Sequence, residues 1–292
     1  MVQVRTRVLA AGGILGGLVL GLYHSVLLNL ARQWWDDPDY SHGFLIPVVA
    51  AYLVWERRAR LQSLRAAPVT PGLLIVAGGV TLFILANMAA ELFVMRVTLL
   101  IVLAGLVLYL LGRAHLRLLA FPLAFLLLMI PPPAIVVNAI TFPLQLFAAG
   151  AATTSLRLLD VPVLREGNVV TLANAKLEVA EACAGVRSLL ALVALAVTYA
   201  YFTRAGVWPR VILVLSSVPI SIVANAARVA GTGLLAHFFG EEMAQGFFHS
   251  FSGWLVFVAA FVLLCLEGFA LNRLSLVLVN RVARRSQACA RG

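Results

Sequence analysis

Charged residues are scarce in this chain. They make up 12% of its 292 residues, while hydrophobic residues make up 62% and the mean hydropathy is +1.00. Soluble domains carry about 25% charged and about 45–50% apolar residues. The apolar residues form many separate segments, each bounded by charges, proline or glycine. This composition excludes a soluble domain, and the lack of ten-residue alternating strands excludes a membrane β-barrel.

Cysteine and histidine are also few. The three cysteines, Cys183, Cys265 and Cys289, are too few and too scattered for a disulfide framework or a zinc site. The histidines show no spacing typical of metal ligands. We therefore expect no metal and no cofactor.

Acidic residues are outnumbered, with 12 Asp and Glu against 22 Lys and Arg. A net charge of +10 is compatible with nucleic-acid binding, but the charges are distributed as in a membrane protein, so no nucleic-acid partner is expected. The predicted fold is all-α and polytopic, one integral membrane domain over 1–292 in a lipid bilayer, with about eight transmembrane helices. These are expected near 8–31, 43–56, 72–90, 95–112, 115–131, 184–203, 211–237 and 252–272.

Two segments between these helices are less regular. Segment 134–158 follows a triple proline and is interpreted as a ninth span, a re-entrant hairpin or an interfacial helix. The charge asymmetry of the eight other helices requires it to enter and leave on the outer side, which favours the re-entrant or interfacial interpretation. Segment 160–182 has β-branched runs on both sides of "REGN", which predicts a short β-hairpin in a loop leading to Cys183. If eight helices alternate, the arginines collect on one side and the acids on the other. The positive-inside rule then places both termini in the cytoplasm and the 160–182 loop outside.

Arg228 is the most unusual residue on this topology, because it falls inside the seventh predicted helix. Ser221 and Asn225 share its helix face at i, i+4 and i+7 spacing. Ionisable residues within membrane spans are functional hypotheses by default. The alternative is a structural arginine that binds carbonyls or a carboxylate of a neighbouring helix.

Cys183 and His249 complete a possible catalytic set on the same outer side. Cys183 precedes a helix that carries Arg187 in its first turn, a setting that stabilises a thiolate, and Glu181 is interpreted as a partner that shapes the site. His249 begins the eighth predicted helix. A cysteine nucleophile needs a base and a donor to the oxyanion, and these three residues supply both. Taken singly, the cysteine could be an ordinary buried thiol and the histidine a solvated helix end.

A second polar cluster lies in the first outer loop, "WWDDPDYSHGFLIP". Its tryptophans suit an interfacial aromatic belt, and Asp39 or Ser41 can cap the next helix. The grouping of Asp39, Tyr40, Ser41 and His42 also suits substrate binding or support of the site. Both interpretations stay open.

Three segments, "EACAGVRSL", "ANAARV" and "FFHSFSGW", resemble the signature segments of the exosortase/archaeosortase family of membrane transpeptidases. "YSHGFLIP", "FPLAFLLLMIPPP" and "VLREGN" resemble secondary landmarks of that family. Ala184 stands where the family often has serine. The resemblance implies Cys183 as nucleophile, His249 as acid/base and Arg228 as the stabilising cation.

The resemblance also implies a stand-alone bacterial inner-membrane enzyme without the extra C-terminal domain of longer members. Its implied partners are secreted proteins with a C-terminal sorting signal: a PEP-CTERM-like motif, a transmembrane helix and a basic tail. A thioester would form and a lipid, a glycan or water would resolve it, in connection with exopolysaccharide-associated protein sorting. Two other classes stay open, a transporter of an anionic solute that uses Arg228 and a non-catalytic membrane assembly protein.

Overall fold

The computed structural model describes residues 2–173, 176–178, 186–203, 206–240 and 247–289, with the backbone alone at 2–10, 176–178, 186–187, 247–252 and 276–289. The chain divides into two compact units, Met1–Pro133 and Ala134–Gly292. Cys183 and Glu181 lie outside the described residues, as do the side chains of Arg187 and His249.

The first unit is helical throughout its described part. Its α-helices are α1 (Val2–Asp36), α2 (Leu45–Glu56), α3 (Arg58–Ser63), α4 (Pro71–Met88), α5 (Leu92–Leu110) and α6 (Arg113–Phe125), and 3₁₀ helices cover Pro38–Phe44 and Leu126–Met129. The core lies where α1, α4 and α5 meet: the Tyr23 ring packs on Phe83 at 4.6 Å between centroids, and its hydroxyl donates to Thr98 Oγ1 at 3.0 Å. Glu91 caps α5 by accepting from the backbone N–H of Phe93 at 3.0 Å.

The 3₁₀ helix Pro38–Phe44 contains the second polar cluster of the sequence. Asp37 begins it, accepting a 2.9 Å hydrogen bond from the backbone N–H of Asp39. Gly43 lies against the Trp34 indole so closely that any Cβ would overlap the ring. Trp34 Nε1 in turn donates to the carbonyl of Met129 at 2.9 Å. Trp34, near the end of α1, and Gly43, in the 3₁₀ helix, therefore have a packing role.

The second unit combines helices with a small sheet. Its elements are α7 (Ala134–Leu158), β1 (Val163–Glu166), β2 (Val169–Leu172), β3 (Lys176–Glu178), α8 (Val186–Phe202), α9 (Val207–Phe239) and α10 (Phe247–Cys289). The predicted hairpin is confirmed: β1 pairs antiparallel with β2, and Gly167 takes the positive φ of +64° at the first position of the two-residue turn. A third strand, β3, pairs antiparallel with β2 and was not expected.

Helix α9 packs against α7, α8 and α10, so it is the central helix of this unit. Near its carboxyl-terminal end, Gly233 contacts Leu156 in the last turn of α7. Val161 and Val170 of the hairpin region join the same apolar cluster. Toward its amino-terminal end, α9 forms a second apolar cluster with α8 and α10; its buried members are Leu192, Ala196, Ala200, Leu213, Ala260 and Leu264.

Six of the described helical segments are long and apolar enough to cross a membrane, which confirms an all-α polytopic protein. They are Ala11–Asp36, Pro71–Met88, Leu92–Leu110, Ala134–Leu158, Val207–Phe239 and Gly253–Ser275, with Ser188–Phe202 as a shorter apolar helix. The expected number of about eight is not confirmed. Of the eight expected helices, α2, α6 and the described part of α8 are too short, with 12, 13 and 17 residues, and one of the six candidate spans is α7, which was not one of the eight. Segment 134–158 is one continuous helix of 25 residues. A re-entrant hairpin is therefore wrong for it.

Candidate active site

A cleft opens in the second unit where α8, α9 and α10 meet. It is small, with room for about one water molecule (about 10 Å³), and it is partly open to the surroundings. Its described lining has a polar edge and an apolar floor: Ser188, Ser221, Asn225 and Arg228 with Gly253, and Leu192, Ala224, Val256, Phe257 and Ala260. The sequence singled out Ser221, Asn225 and Arg228 on one helix face, and the structure brings them together in this cleft.

The polar face of α9 follows from helix periodicity. Ser217, Ser221 and Asn225 recur every four residues and are 0%, 3% and 6% exposed. The hydroxyl of Ser217 has a hydrogen-bond partner in its own helix, since its Oγ donates to the carbonyl of Val214 at 2.6 Å. Arg228 comes one turn after Asn225 and is half-buried. A polar stripe thus leads along a membrane-length helix to a cation at the cleft.

Helix α10 lets the arginine side chain lie close to its backbone. A Cβ added to Gly253 would stand 3.3 Å from Arg228 Nη1. Gly253 is four residues after position 249, so the two positions share a face of α10, one turn apart. The guanidinium of Arg228 therefore lies one helical turn from the position that carries His249.

Positive charge dominates the described lining of the cleft. Among the described residues that line it, Arg228 is charged and none is acidic. Ser188 is the third residue of α8, so the first turn of that helix lies at the cleft, whereas Gly253 is the seventh residue of α10, nearly two turns from its start. Helix amino termini carry partial positive charge, which adds to that of the guanidinium. The described lining of the cleft therefore carries net positive charge.

The remaining predicted site residues lie elsewhere or are only partly described. Arg187 occupies the first turn of α8, directly before Ser188. Two residues, Ala184 and Gly185, separate Cys183 from Val186, where α8 begins. Asp39, Tyr40, Ser41 and His42 lie on the 3₁₀ helix Pro38–Phe44 of the first unit, where Ser41 Oγ donates to the carbonyl of Pro38 at 2.9 Å.

Sequence reasoning missed Glu267 and Arg96, two ionisable residues inside candidate membrane spans. Glu267 of α10 accepts a hydrogen bond from Ser216 Oγ of α9 at 2.6 Å. Arg96 of α5 is 5% exposed, and its Nε has no hydrogen-bond partner among the described residues. The rule that drew attention to Arg228 applies equally to both and would have found them. Ser188 carried no comparable signal, because a serine in the first turn of a helix is common.

The fold and the cleft define a multi-pass helical membrane protein with a cationic cleft at a three-helix junction. The profile of the transmembrane exosortase family (Exosortase_EpsH) matches residues 34–266 of the chain. The chain therefore belongs to the transmembrane exosortase family. Comparisons with curated proteins and with solved structures gave no match.

Proposed function

We propose that this protein is a cysteine transpeptidase that processes the C-terminal sorting signal of secreted proteins on the extracytoplasmic side of the membrane. Membership of the exosortase family implies a transpeptidase that processes PEP-CTERM substrates. The observation that carries the proposal for this chain is the position of Arg228. Its guanidinium lies in a cleft at the junction of α8, α9 and α10, with the first turn of α8, which follows Cys183, and with Gly253 of α10, one turn from position 249.

In the proposed reaction, the thiol of Cys183 loses its proton to His249 and attacks the carbonyl carbon of the peptide bond. The carbonyl oxygen becomes an oxyanion, and Arg228 stabilises it. The bond to nitrogen then breaks, His249 returns the proton to the leaving amine, and a thioester remains on Cys183. An amine, a hydroxyl or water attacks this thioester, releases the thiol and forms the product.

Chain connectivity is compatible with this role for Cys183. The three peptide units from Cys183 to Val186 reach at most about 11 Å between Cα atoms. Ser188, two residues further on, already lines the cleft. The nucleophile is therefore tethered close to the cleft edge by the chain itself.

The charge distribution of the second unit supports an extracytoplasmic cleft with a cytoplasmic C-terminus. Arg210 lies in the first turn of α9, 18 residues before Arg228 along the same helix. Arg273 lies 20 residues after Gly253 in α10. At about 1.5 Å rise per residue, both basic residues are roughly 30 Å from the cleft, the thickness of a bilayer core. By the positive-inside rule, the basic end is cytoplasmic.

We propose supporting roles for the other polar residues that the sequence singled out. Asn225 is buried next to Arg228 on α9, where it restricts the guanidinium. Glu181 and Arg187 precede and follow Cys183 and are proposed to shape its surroundings. Asp39, Tyr40, Ser41 and His42 are proposed to contribute to substrate binding.

The covalent mechanism is tested with paired cysteine variants, expressed with a tagged substrate that carries a sorting signal. Cys183→Ala is expected to abolish release of the tail at unchanged membrane insertion. Cys265→Ala is the matched control, since Cys265 lies within α10, outside the cleft lining, and should retain processing. Processing by Cys183→Ala at the wild-type rate would exclude the thioester.

The proposed base is tested in the same assay. His249→Ala is expected to abolish processing, whereas His24→Ala should not, because His24 is exposed on α1 with its Nδ1 against the carbonyl of Gly21 at 2.9 Å. Equal loss in both variants would argue against a specific role for His249.

Mass spectrometry of the new C-terminus of a processed substrate then separates transfer from hydrolysis. An added mass on that C-terminus identifies the acceptor and supports transpeptidation. A free carboxylate shows that water is the acceptor and that the protein acts as a protease. Uncleaved substrate in wild-type cells would contradict both.

A further inference from the structure

Two helical glycines of the second unit lie against a guanidinium: a Cβ at Gly150 would stand 2.7 Å from Arg165 Nη1, and Gly253 lies against Arg228, which lines the cleft. Gly233 meets the apolar side chain of Leu156, and Gly268 meets the ring of Tyr199. A Cβ at Gly253 would meet Arg228 Nη1 at 3.3 Å, and no other described atom outside its own stretch of helix lies within 4 Å. The backbone of α10 at Gly253 therefore lies directly beside the guanidinium of Arg228.

We propose that Gly253 is the positioning residue for Arg228. This inference rests on the proposed function. It gives Gly253 a part in the reaction although its own atoms take part in none of the proposed chemical steps. Glycine within a helix destabilises it by about 1 kcal/mol relative to alanine. Because Gly253 has no side chain, the guanidinium of Arg228 can lie against the backbone of α10, one turn from the position of the proposed base. We call this place beside Gly253 the seat of the guanidinium. The seat sets the distance between the cation and position 249.

The steric argument predicts a graded effect. An alanine Cβ at 3.3 Å requires the guanidinium to move by a few tenths of an ångström. Valine adds two γ carbons beyond that position and restricts its own rotamers, so the guanidinium must leave the seat. Because Arg228 is the described group that a side chain at 253 would meet, the effect should pass through Arg228.

The position of the guanidinium is tested without any substrate. Purified protein in detergent is treated with phenylglyoxal, and modification of Arg228 is followed by peptide mass spectrometry. Gly253→Val is expected to raise the rate at Arg228 roughly threefold, as for a half-buried side chain that becomes exposed. Arg210 in the same digest serves as the internal standard.

Two variants control this measurement. Gly231→Val changes a glycine of α9 whose Cβ position meets no described atom within 4 Å, so the Arg228 rate should stay at the wild-type value. Gly253→Ala repeats the test with the smallest possible side chain, should valine prevent folding. An unchanged Arg228 rate in a folded Gly253→Val protein, or in Gly253→Ala if valine does not fold, would overturn the proposal.

Processing kinetics then separate positioning from general stability. In a reconstituted assay, Gly253→Ala is expected to lower kcat about tenfold with KM unchanged, because a misplaced cation is lost only from the transition state. In an Arg228→Lys background, the same substitution should lower kcat less than about twofold, since coupled residues are not additive. Equal factors in both backgrounds would contradict a role through Arg228.

Failure of the wild-type protein to process any substrate would reject the proposed function. The labelling result would still decide whether Gly253 positions Arg228.

Discussion

Arg96 and Arg228 both lie inside candidate membrane spans, but their surroundings differ. Arg96 of α5 is 5% exposed, and its Nε has no hydrogen-bond partner among the described residues. Arg228 of α9 is half-buried and lines a cleft beside two serines, an asparagine and a glycine seat. Charged side chains within membrane spans are costly and are functional hypotheses by default. Accessibility of the charge to another molecule is what distinguishes the two sites.

The comparison separates a charge that is buried in the protein, Arg96, from one that lies at a cleft, Arg228. A cation that is to stabilise an oxyanion must be held in place and still be reachable from outside the protein. Arg228 is half-buried and lines the cleft, so it is the better placed of the two for such a role. Arg96 is enclosed by the first unit, so we expect its loss to affect folding before it affects chemistry.

The largest expected effect comes from removing the cleft cation. Arg228→Ala should lower the rate of sorting-signal processing by about a thousandfold, the upper range for loss of one oxyanion donor. The unfolding midpoint in detergent should change little, because the side chain is half-buried at an open cleft. Processing is measured by immunoblot of the released substrate.

Arg210→Ala is the matched control for this comparison. Arg210 Nη2 donates to the carbonyl of Thr203 at 2.8 Å, and the residue lies outside the cleft lining. Its loss should leave processing within about twofold of wild type, as for an exposed surface charge. Comparable losses in both variants would remove the distinction between the cleft and the rest of α9.

A smaller loss of activity is expected when residue 228 stays positively charged but loses the planar guanidinium group. Arg228→Lys replaces a planar guanidinium by a compact ammonium, which cannot make paired hydrogen bonds from one plane. We expect a loss of kcat of about tenfold to a hundredfold, smaller than for alanine. Full activity of the lysine variant in single-turnover kinetics would show that charge alone is sufficient.

Arg96 provides the opposite test. Arg96→Met keeps the apolar length of the side chain and removes a buried nitrogen that has no described partner. An unsatisfied buried donor costs about 1–3 kcal/mol, so the variant should unfold at a higher temperature or a higher denaturant concentration. Processing should change less than about threefold. Loss of processing in a stable Arg96→Met protein would place Arg96 in the function and break the comparison.

The smallest effect is expected at Glu267, far along α10 from the cleft. In Glu267→Gln the amide carbonyl can still accept the hydrogen bond of Ser216 Oγ. Ser216 Oγ also lies 3.0 Å from the carbonyl of Leu213 as a second acceptor. We expect a change of less than about 1 kcal/mol in the free energy of unfolding, measured by denaturant titration, with normal processing. A strong activity defect would reveal a second functional site.

Much of the fold was predictable because hydropathy and turn chemistry act locally. The helices α4, α5 and α9 match predicted segments to within a few residues, and the "REGN" hairpin turns at Gly167. The short α2 and α6 were overestimated as spans, because an apolar run does not reveal where a helix ends in a protein interior. Segment 134–158 was open for the same reason, since only its continuity as α7 rules out the re-entrant hairpin.

The site was predictable in its residues and less so in its arrangement. Helix periodicity alone placed Ser221, Asn225 and Arg228 on one face of α9. Ser188 and Gly253 come from two other helices, and no pattern within either helix indicates that they share a cleft with Arg228. Arg228 has the polar residues Ser221 and Asn225 on its helix face and Arg96 has none, but the sequence does not show how far the protein encloses either guanidinium.

The membrane-spanning character, the helix-dominated fold, the hairpin and the family resemblance follow from composition and short-range order in the chain. Three other features depend on how the helices pack: Arg228 lines a cleft, a Cβ at Gly253 would stand 3.3 Å from its Nη1, and Glu267 accepts a hydrogen bond from Ser216 Oγ. These are contacts between helices. The physical reason is that the packing of α8, α9 and α10 sets them, and packing depends on residues far apart in the chain.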